Sequence, residues 1–402
     1  MNTFKQIKCN IKSKNFILLY KYSKYNIYHC SSYNIKFNKI KIITSKSNDI
    51  NMNIAYENKM IDKDAVDCPI LYLWRNDRNI VIGKYQNPWK ECQINKLKAD
   101  NVSLARRKSG GGAVYQDLGN VIYSFLLPNI KQIKDFRQIN KEILLNTFEK
   151  LNINAEFSGR NDILIDNKKF SGNAFRIIPN LGDEDNSNNG KFKRGKNLHH
   201  GTMLYNCNLD MLSEYLNVNK LKLQSKGVDS VKSRVINIID KYPNIDIQDI
   251  YNQLKKSFIE YYDCDNLDVE HIELPNKNFD VNNDYKQLTS WNWLYGSCPE
   301  FSNSIEYKFN WGLIDLSLDV IKGRIKKANV YSDTLIEGLI DHIRSVILDI
   351  DFDNDNNKYN YDENGIKELL QYVKLSYDKI DCSNVEFNNY FDDMIETLPK
   401  LV

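Results

Sequence analysis

Nowhere in these 402 residues do eighteen apolar residues run together, so nothing reads as a membrane-spanning helix. Cysteine pairs are missing too. The eight cysteines lie far apart, none forms a Cys-x-x-Cys pair, and there are only five histidines. A zinc ribbon or a disulfide framework is thereby excluded, leaving reduced thiols in a reducing compartment. Phosphate-binding signatures are absent as well: there is no Gly-x-x-x-x-Gly-Lys-Ser/Thr, and no Gly-x-Gly-x-x-Gly follows a strand. One region lacks a whole class of charge. Residues 1–48 contain no Asp, Glu or Arg but ten lysines, so the rest of the chain carries −7 (+3 less ten lysines). That balance does not suit a nucleic-acid-binding surface. Residues 1–48 are expected to be an organelle-targeting leader, for a mitochondrion first, with a plastid-type organelle or the cytoplasm as alternatives. A solvated low-complexity tail is the plainer reading of the same residues. "FILLY" is too short for a secretory apolar core.

What is present alternates between strand and helix patterns. Ile70–Trp74 and Ile80–Ile82 flank the polar "RNDRN" and read as a hairpin. Val121–Leu127 is almost wholly apolar, as in a strand covered on both faces. Phe136, Ile139, Ile143, Leu144, Phe148 and Leu151 recur at helical spacing, as do Ile247, Ile250, Leu254, Phe258 and Tyr261. "NDILIDNKKFSGNAF" predicts two strands around a turn at Asp166–Lys168, and Asn180–Asn197 a mobile surface loop. "ELPNKNFDVNND" has linker composition. After it "IEYKFNWGLIDLSLDVIKGRIKKANVY" reads as successive strands, followed by helical patterns around Leu335–Ile350 and Ile366–Val373. Trp291, Trp293 and Trp311 are expected to be packing residues of the second unit. The class is α+β: a large domain over 49–278 with a mixed sheet flanked by helices, and a smaller accessory domain over 279–402.

"LARRKSGGGAVYQDLGNVIYSFLLP", Leu104–Pro128, carries the strongest local signal. Three consecutive glycines cost backbone entropy and mark a place where main chain must be closely approached. One reading is a tight turn feeding a buried strand, with Arg106 and Arg107 on a solvated face. The other is a cradle of backbone N–H groups for an anion, neutralised by a guanidinium whose planar fork suits phosphate, with Ser109 adding a hydroxyl. Spacing alone leaves both open.

Four ordered stretches are together similar to the lipoate–protein ligase family, relatives of the biotin protein ligases. They are "LYLWRNDRNIVIGKYQNPWKEC" (Leu71–Cys92), "RRKSGGGAVYQDLGN" (Arg106–Asn120), "GRNDILIDNKKFSGNAFR" (Gly159–Arg176) and "HHGTMLYN" (His199–Asn206). "KGVDSVKSRVIN" and "SWNWLYGSCPEF" extend the likeness. The resemblance implies a biotin/lipoate ligase-like catalytic domain and a C-terminal domain that swings between two steps. First (R)-lipoate and ATP, with Mg²⁺, form lipoyl-AMP and pyrophosphate. The lipoyl group then passes to a lysine ε-amine on apo lipoyl domains of 2-oxoacid dehydrogenase complexes and the glycine-cleavage H protein. It implies a monomer with no nucleic-acid or membrane partner. By motif position, Arg107 meets the nucleotide phosphate. Ser109, Gly110, Gly111, Gly112, Ala113, Val114 and Tyr115 surround the adenylate, Gly112 and Val114 also touching lipoate. Asn120, Asn161 and Asp162 fall on adenylate-site positions, and Lys169 touches both the lipoyl carbonyl and the α-phosphate. The family usually has His where Gln116 stands here, so that position has no proton-transfer role.

The chemistry suits these residue types. Charge builds on the α-phosphate oxygens during adenylation, and fixed cations aimed there lower the barrier. Lys168 and Lys169 are separated only by motif register, which selects Lys169. Asp162 is either a strand-entry cap or an aid to Mg²⁺ or ligand. His199 and His200 are expected to be structural rather than acceptors of the incoming amine's proton. Two alternatives are an acyltransferase using preformed lipoyl-AMP or an octanoyl donor, and a non-catalytic lipoyl-domain-binding scaffold. The C-terminal domain and the ordered retention of Arg107, the glycines and Lys169 favour the ligase.

Overall fold

The computed structural model describes residues 37–62, 66–129, 136–159, 161–178, 195–217, 234–262, 266–277, 279–334, 336, 338–354, 359–381 and 385–402. The centre of the molecule is an eight-stranded mixed sheet. Its strands are β1 (Lys39–Ser45), β2 (Ile70–Trp74), β6 (Asn120–Asn129), β7 (Glu156–Ser158), β8 (Asp162–Ile165), β9 (Lys168–Ile178), β10 (Gly195–Leu204) and β11 (Asp268–Leu274), in the order β11-β1-β2-β6-β10-β9-β8-β7. β1 runs parallel to β2 and β11; the other pairs are antiparallel.

Side-chain alternation divides this sheet between two cores. Leu71, Leu73, Tyr123 and Phe125 pack with helices α2 (Phe136–Lys150) and α3 (Ile247–Tyr262) on one side. Ile70, Tyr72, Trp74 and Ile122 pack on the other with α1 (Ile50–Asp62) and with α4 (Asn282–Thr289). Both faces of β2 and β6 are thus covered, which is why their sequences are almost unbroken apolar runs. β8 and β9 form the expected hairpin, with Asp166 and Asn167 both at positive φ in the turn.

A small sheet of order β4-β3-β5 lies beside the large one, from β3 (Asn79–Ile82), β4 (Ser103–Arg106) and β5 (Val114–Gln116). β2 and β3 are therefore not the hairpin expected: β3 pairs with β4 and β5, in a different sheet from β2. Between them Asp77 and Arg78 are exposed, but Asn76 faces inward. Asn76 is fully buried; its amide donates to Gln116 Oε1 at 2.8 Å and its carbonyl accepts from Asn53 at 2.9 Å, while Arg75 bonds to the carbonyl of Leu118. These bonds hold the two strands in separate sheets.

The C-terminal unit is an antiparallel sheet of β12 (Phe301–Phe309), β13 (Gly312–Ile321) and β14 (Arg324–Ser332), in chain order. Helices α6 (Leu339–Leu348), α7 (Glu363–Asp381) and α8 (Val385–Thr397) pack on it, and the strict alternation of Ile314, Leu316, Leu318 and Val320 supplies the core. No helix among the described residues is long and apolar enough to cross a membrane.

Three boundaries move. β1 lies inside the expected 1–48 leader, so the folded part begins before residue 49; the earlier part of the leader is outside the described residues. The "ELPNKNFDVNND" segment is no free linker. β11 runs to Leu274, and Val281, Phe279 and Leu288 pack into the catalytic core, so residues 279–294 belong with it rather than with the accessory domain. Trp293 joins that core, whereas Trp291 faces Trp89 at the junction and Trp311 packs in the accessory domain. The Asn180–Asn197 loop ends earlier than expected, because β10 starts at Gly195; residues 180–194 are outside the described set. Cys68, Cys92, Cys207 and Cys298 are free and buried, and burial pushes Cys68 and Cys92 up to about 12.

Ile40, Ile42 and Ile43 of β1 are at most 2% exposed, and each contributes roughly 1.5–3 kcal/mol. Against a total stability of about 5–15 kcal/mol, that loss is decisive. A chain starting at Phe37 is expected to keep the full melting transition by calorimetry, and one starting at Asn48 to lose it.

Candidate active site

An open cavity lies where the small sheet meets the large one. One part of its wall is apolar: Ile54, Trp74, Val81, Val114, Ile122 and Ala174. Another part is polar: Arg107, Asn161, Lys169, Asn173, His200 and Thr202. Such a division suits a ligand with a hydrocarbon chain and an anionic head.

The glycine segment leaves β4 and curls over this cavity. Both arginines before it are buried, contrary to the solvated-face reading. Arg106 is wholly enclosed. Its Nη1 donates to the carbonyls of Gly83, Lys84 and Gln86, and its Nε and Nη2 to that of Leu294 at 3.1 and 2.6 Å. Leu294 ends the short helix α5 (Trp291–Leu294), and Trp293 Nε1 returns a bond to the Arg106 carbonyl at 2.8 Å.

Arg107 turns the other way, into the loop. Nη2 donates to the Gly110 and Gly112 carbonyls at 2.8 Å each, Nη1 to Val81 at 3.0 Å, and Nε to Ser109 Oγ at 3.1 Å. Burial pulls the guanidinium down to about 10, against the opposing charge of Glu57, so it stays cationic at neutral pH. The expected fork toward a phosphate is therefore filled by the loop's own carbonyls: Arg107 lines the cavity but shapes the loop. The glycines answer to the same contact. Gly111 has φ +97°, and a Cβ there would sit 2.8 Å from Arg107 Nη2; a Cβ on Gly83 would sit 2.2 Å from the Gly111 carbonyl oxygen. The protein's own backbone and guanidinium make the close approach. Gly111 and Gly112 have no backbone N–H partner among the described residues and stand at the cavity wall, where they suit an anion.

Lys169 enters from β9 on the opposite side. Its ammonium lies 2.8 Å from Asp162 Oδ1, in a half-exposed pair. Lys168, one residue earlier, is exposed and outside the cavity, so strand alternation makes the distinction that motif register made. Asn161 lines the cavity and braces Asn173: the amide nitrogen of each side chain donates to the other's backbone carbonyl. Asn173 Oδ1 also accepts from Tyr123 at 2.5 Å and lies 2.7 Å from His199 Nε2. Burial pulls His199 down to about 3, so it is neutral and structural.

The structure does not bring every expected residue to the cavity. Gly112, Ala113 and Val114 line it with Gly111, but Tyr115 points into the core beneath the small sheet, as alternation along β5 requires. Ser109 and Gly110 stand behind the wall as partners of Arg107. Asn120, the first residue of β6, is fully buried away from it; its Oδ1 accepts from the Asp117 amide and from Cys207, which closes the preceding turn. Asp162 is not in the lining and pairs with Lys169 behind it. Sequence reasoning missed Ile54, Trp74, Asn173 and Thr202, though all but Ile54 sit inside quoted motifs.

Residues 49–259 match the family model described as the lipoyl protein ligase A/B catalytic domain, and residues 298–391 that of the bacterial lipoate protein ligase C-terminus. The chain belongs to the lipoate–protein ligase family. Lipoate-protein ligase A of Psychrobacter cryohalolentis is 39% identical over 332 residues, covering 81% of this chain and 92% of its own. The crystal structure of P. falciparum LipL1 in complex with lipoate is 32% identical, covers 89% of this chain and 98% of its own, and has a TM-score of 0.51. The bipartite lipoate protein ligase of Thermoplasma acidophilum, described with its E2 lipoyl domain, is 26% identical over 65% of this chain and 98% of its own, with a TM-score of 0.53.

In a ligase with this loop, a Cβ on Gly83 must push the Gly111 carbonyl aside. Gly83→Ala is expected to lower kcat/KM for adenylate formation by about 100-fold, read as pyrophosphate release, with β3 and β4 still folded by amide exchange.

Proposed function

We propose that this lipoate–protein ligase activates (R)-lipoate with ATP at the cavity between Lys169 and the Arg107–Gly112 loop, and then passes the lipoyl group to a lysine of an apo lipoyl domain. The juxtaposition of Lys169, the open glycine amides and the apolar wall carries this reading. The dithiolane and its alkyl chain lie along Ile54, Trp74, Val81 and Ile122, and burying them removes apolar surface from water. The carboxylate end meets Lys169.

In the first step a carboxylate oxygen attacks the α-phosphorus and pyrophosphate leaves. Lys169 exchanges Asp162 for the developing anionic oxygens, and the Gly111 and Gly112 amides face the same charge. In the second, the acceptor amine attacks the acyl carbon and AMP leaves. Among the described residues no three His, Cys, Asp or Glu cluster as metal ligands, and Asp162 is already held by Lys169. A resident metal cage does not fit these residues, so Mg²⁺ is proposed to arrive with the ATP phosphates. The acceptors are proposed to be the lipoyl domains of 2-oxoacid dehydrogenase complexes and the glycine-cleavage H protein, with the ligase acting as a monomer.

Incubation with ATP, Mg²⁺, lipoate and an apo lipoyl domain is expected to add one lipoyl mass to the acceptor, and only when ATP is present. Lys169→Met abolishes that gain and the accompanying pyrophosphate release, while Lys168→Met leaves both within about twofold. Equal release by wild type and Lys169→Met refutes the assignment.

The basic stretch ahead of β1 is proposed to direct the chain to an organelle, a mitochondrion first. Residues 1–36 fused to a fluorescent protein should carry it there; diffuse cytoplasmic signal contradicts the proposal.

A further inference from the structure

His200 stands on the cavity wall, yet both of its ring nitrogens are engaged elsewhere. Nδ1 lies 3.0 and 3.1 Å from the two carboxylate oxygens of Glu57, and Nε2 lies 2.7 Å from Ser109 Oγ. Glu57 comes from α1, 143 residues away in sequence, and is only 2% exposed. Its Oε1 also accepts from Ser124 Oγ at 2.5 Å, and Ser124 in turn accepts from Trp74 Nε1 at 3.2 Å. Burial would raise the Glu57 carboxyl, but His200, Ser124 and Arg176 together hold it below its ordinary value. It is a carboxylate, and a carboxylate only accepts.

One arrangement of protons along this chain gives every polar group in it a partner. In it Glu57 accepts a hydrogen bond from His200 Nδ1–H, which leaves Nε2 as the acceptor of the ring. Ser109 Oγ receives Arg107 Nε–H and turns its own hydroxyl proton toward Nε2. The chain then runs unbroken from Trp74 through Ser124 to Glu57, and from Arg107 through Ser109 to His200, with Arg107 Nε shared between Ser109 Oγ and the Gly110 carbonyl.

We propose that Glu57 is a positioning residue for the glycine loop: acting through His200 and Ser109, it fixes the Arg107 guanidinium that grips the Gly110 and Gly112 carbonyls. Glu57 neither bonds to the loop nor lines the cavity. It sets the tautomer of His200, the tautomer sets the direction of the Ser109 hydroxyl, and the hydroxyl oxygen holds Arg107 Nε. That the loop serves an acyl-adenylate rests on the function proposed above, but the proton arrangement can be measured without it.

Nitrogen-15 NMR of histidine-labelled full-length chain at neutral pH is expected to show His200 protonated on Nδ1 and bare on Nε2, the signal being assigned by its loss in His200→Gln. The opposite tautomer, or an imidazolium, overturns the proposal. The second measurement is affinity for the non-reactive sulfamate analogue of lipoyl-AMP. Glu57→Gln and Ser109→Ala should each weaken it ~10-fold, and the double variant also ~10-fold, because both interrupt one chain. A product of ~100-fold, or unchanged affinity in either single variant with native melting, refutes it. If wild type does not bind the analogue, the adenylate reading fails, and the tautomer still decides the relay.

Discussion

A buried cation held by carbonyl oxygens organises this molecule. The Arg107 guanidinium is nearly enclosed, and desolvating it is costly unless its donors are filled. The chain fills them with main chain from β3 and from the glycine segment, and thereby gives that segment a defined shape. Without the guanidinium, three successive glycines would sample many conformations. With it, two peptide carbonyls are turned toward Arg107, and the glycine amides stand at the cavity.

The neighbouring arginine does a complementary task. Arg106 and Arg107 are adjacent in sequence but project to opposite sides at the end of β4. One secures the loop; the other joins the Gly83–Gln86 turn to Leu294, at the entrance to the accessory domain. Trp89 lies just beyond, with ring centroids 5.2 Å from Tyr295, 5.4 Å from Phe301 and 5.1 Å from Tyr361. The position of the C-terminal unit is thus registered one peptide bond from the glycine loop.

Much of this was legible in the sequence, and the part that was not has a common cause. A continuous apolar run located β6, and 3.6-residue periodicity the helices at 136–150 and 247–262, because those signals come from local burial. Pairing is a non-local property. The two short runs around "RNDRN" look like a hairpin until Asn76 is found bonded to Gln116 and Asn53, residues 40 and 23 positions away. The site divides in the same way. Motif register identified Lys169 and the glycines, but residue type told only that Arg107 is cationic, not that carbonyls of its own loop would surround it. Asn120 shares a motif with the loop yet sits behind a turn. Glu57 carried no motif at all, since nothing near it in sequence discloses a histidine 143 positions on.

The place of β1 in the sheet has a consequence for biosynthesis. Its partner on the outer side is β11, whose residues 268–274 are made more than two hundred residues later. A ribosome releasing the chain from its N-terminus exposes Lys39–Ser45 long before that neighbour exists. The sheet closes only once nearly the whole catalytic half has emerged, and a contact this distant in sequence makes assembly slow. During that interval the isoleucines of β1 are open to solvent and need shelter, from a chaperone or from the still-unfolded segments around them.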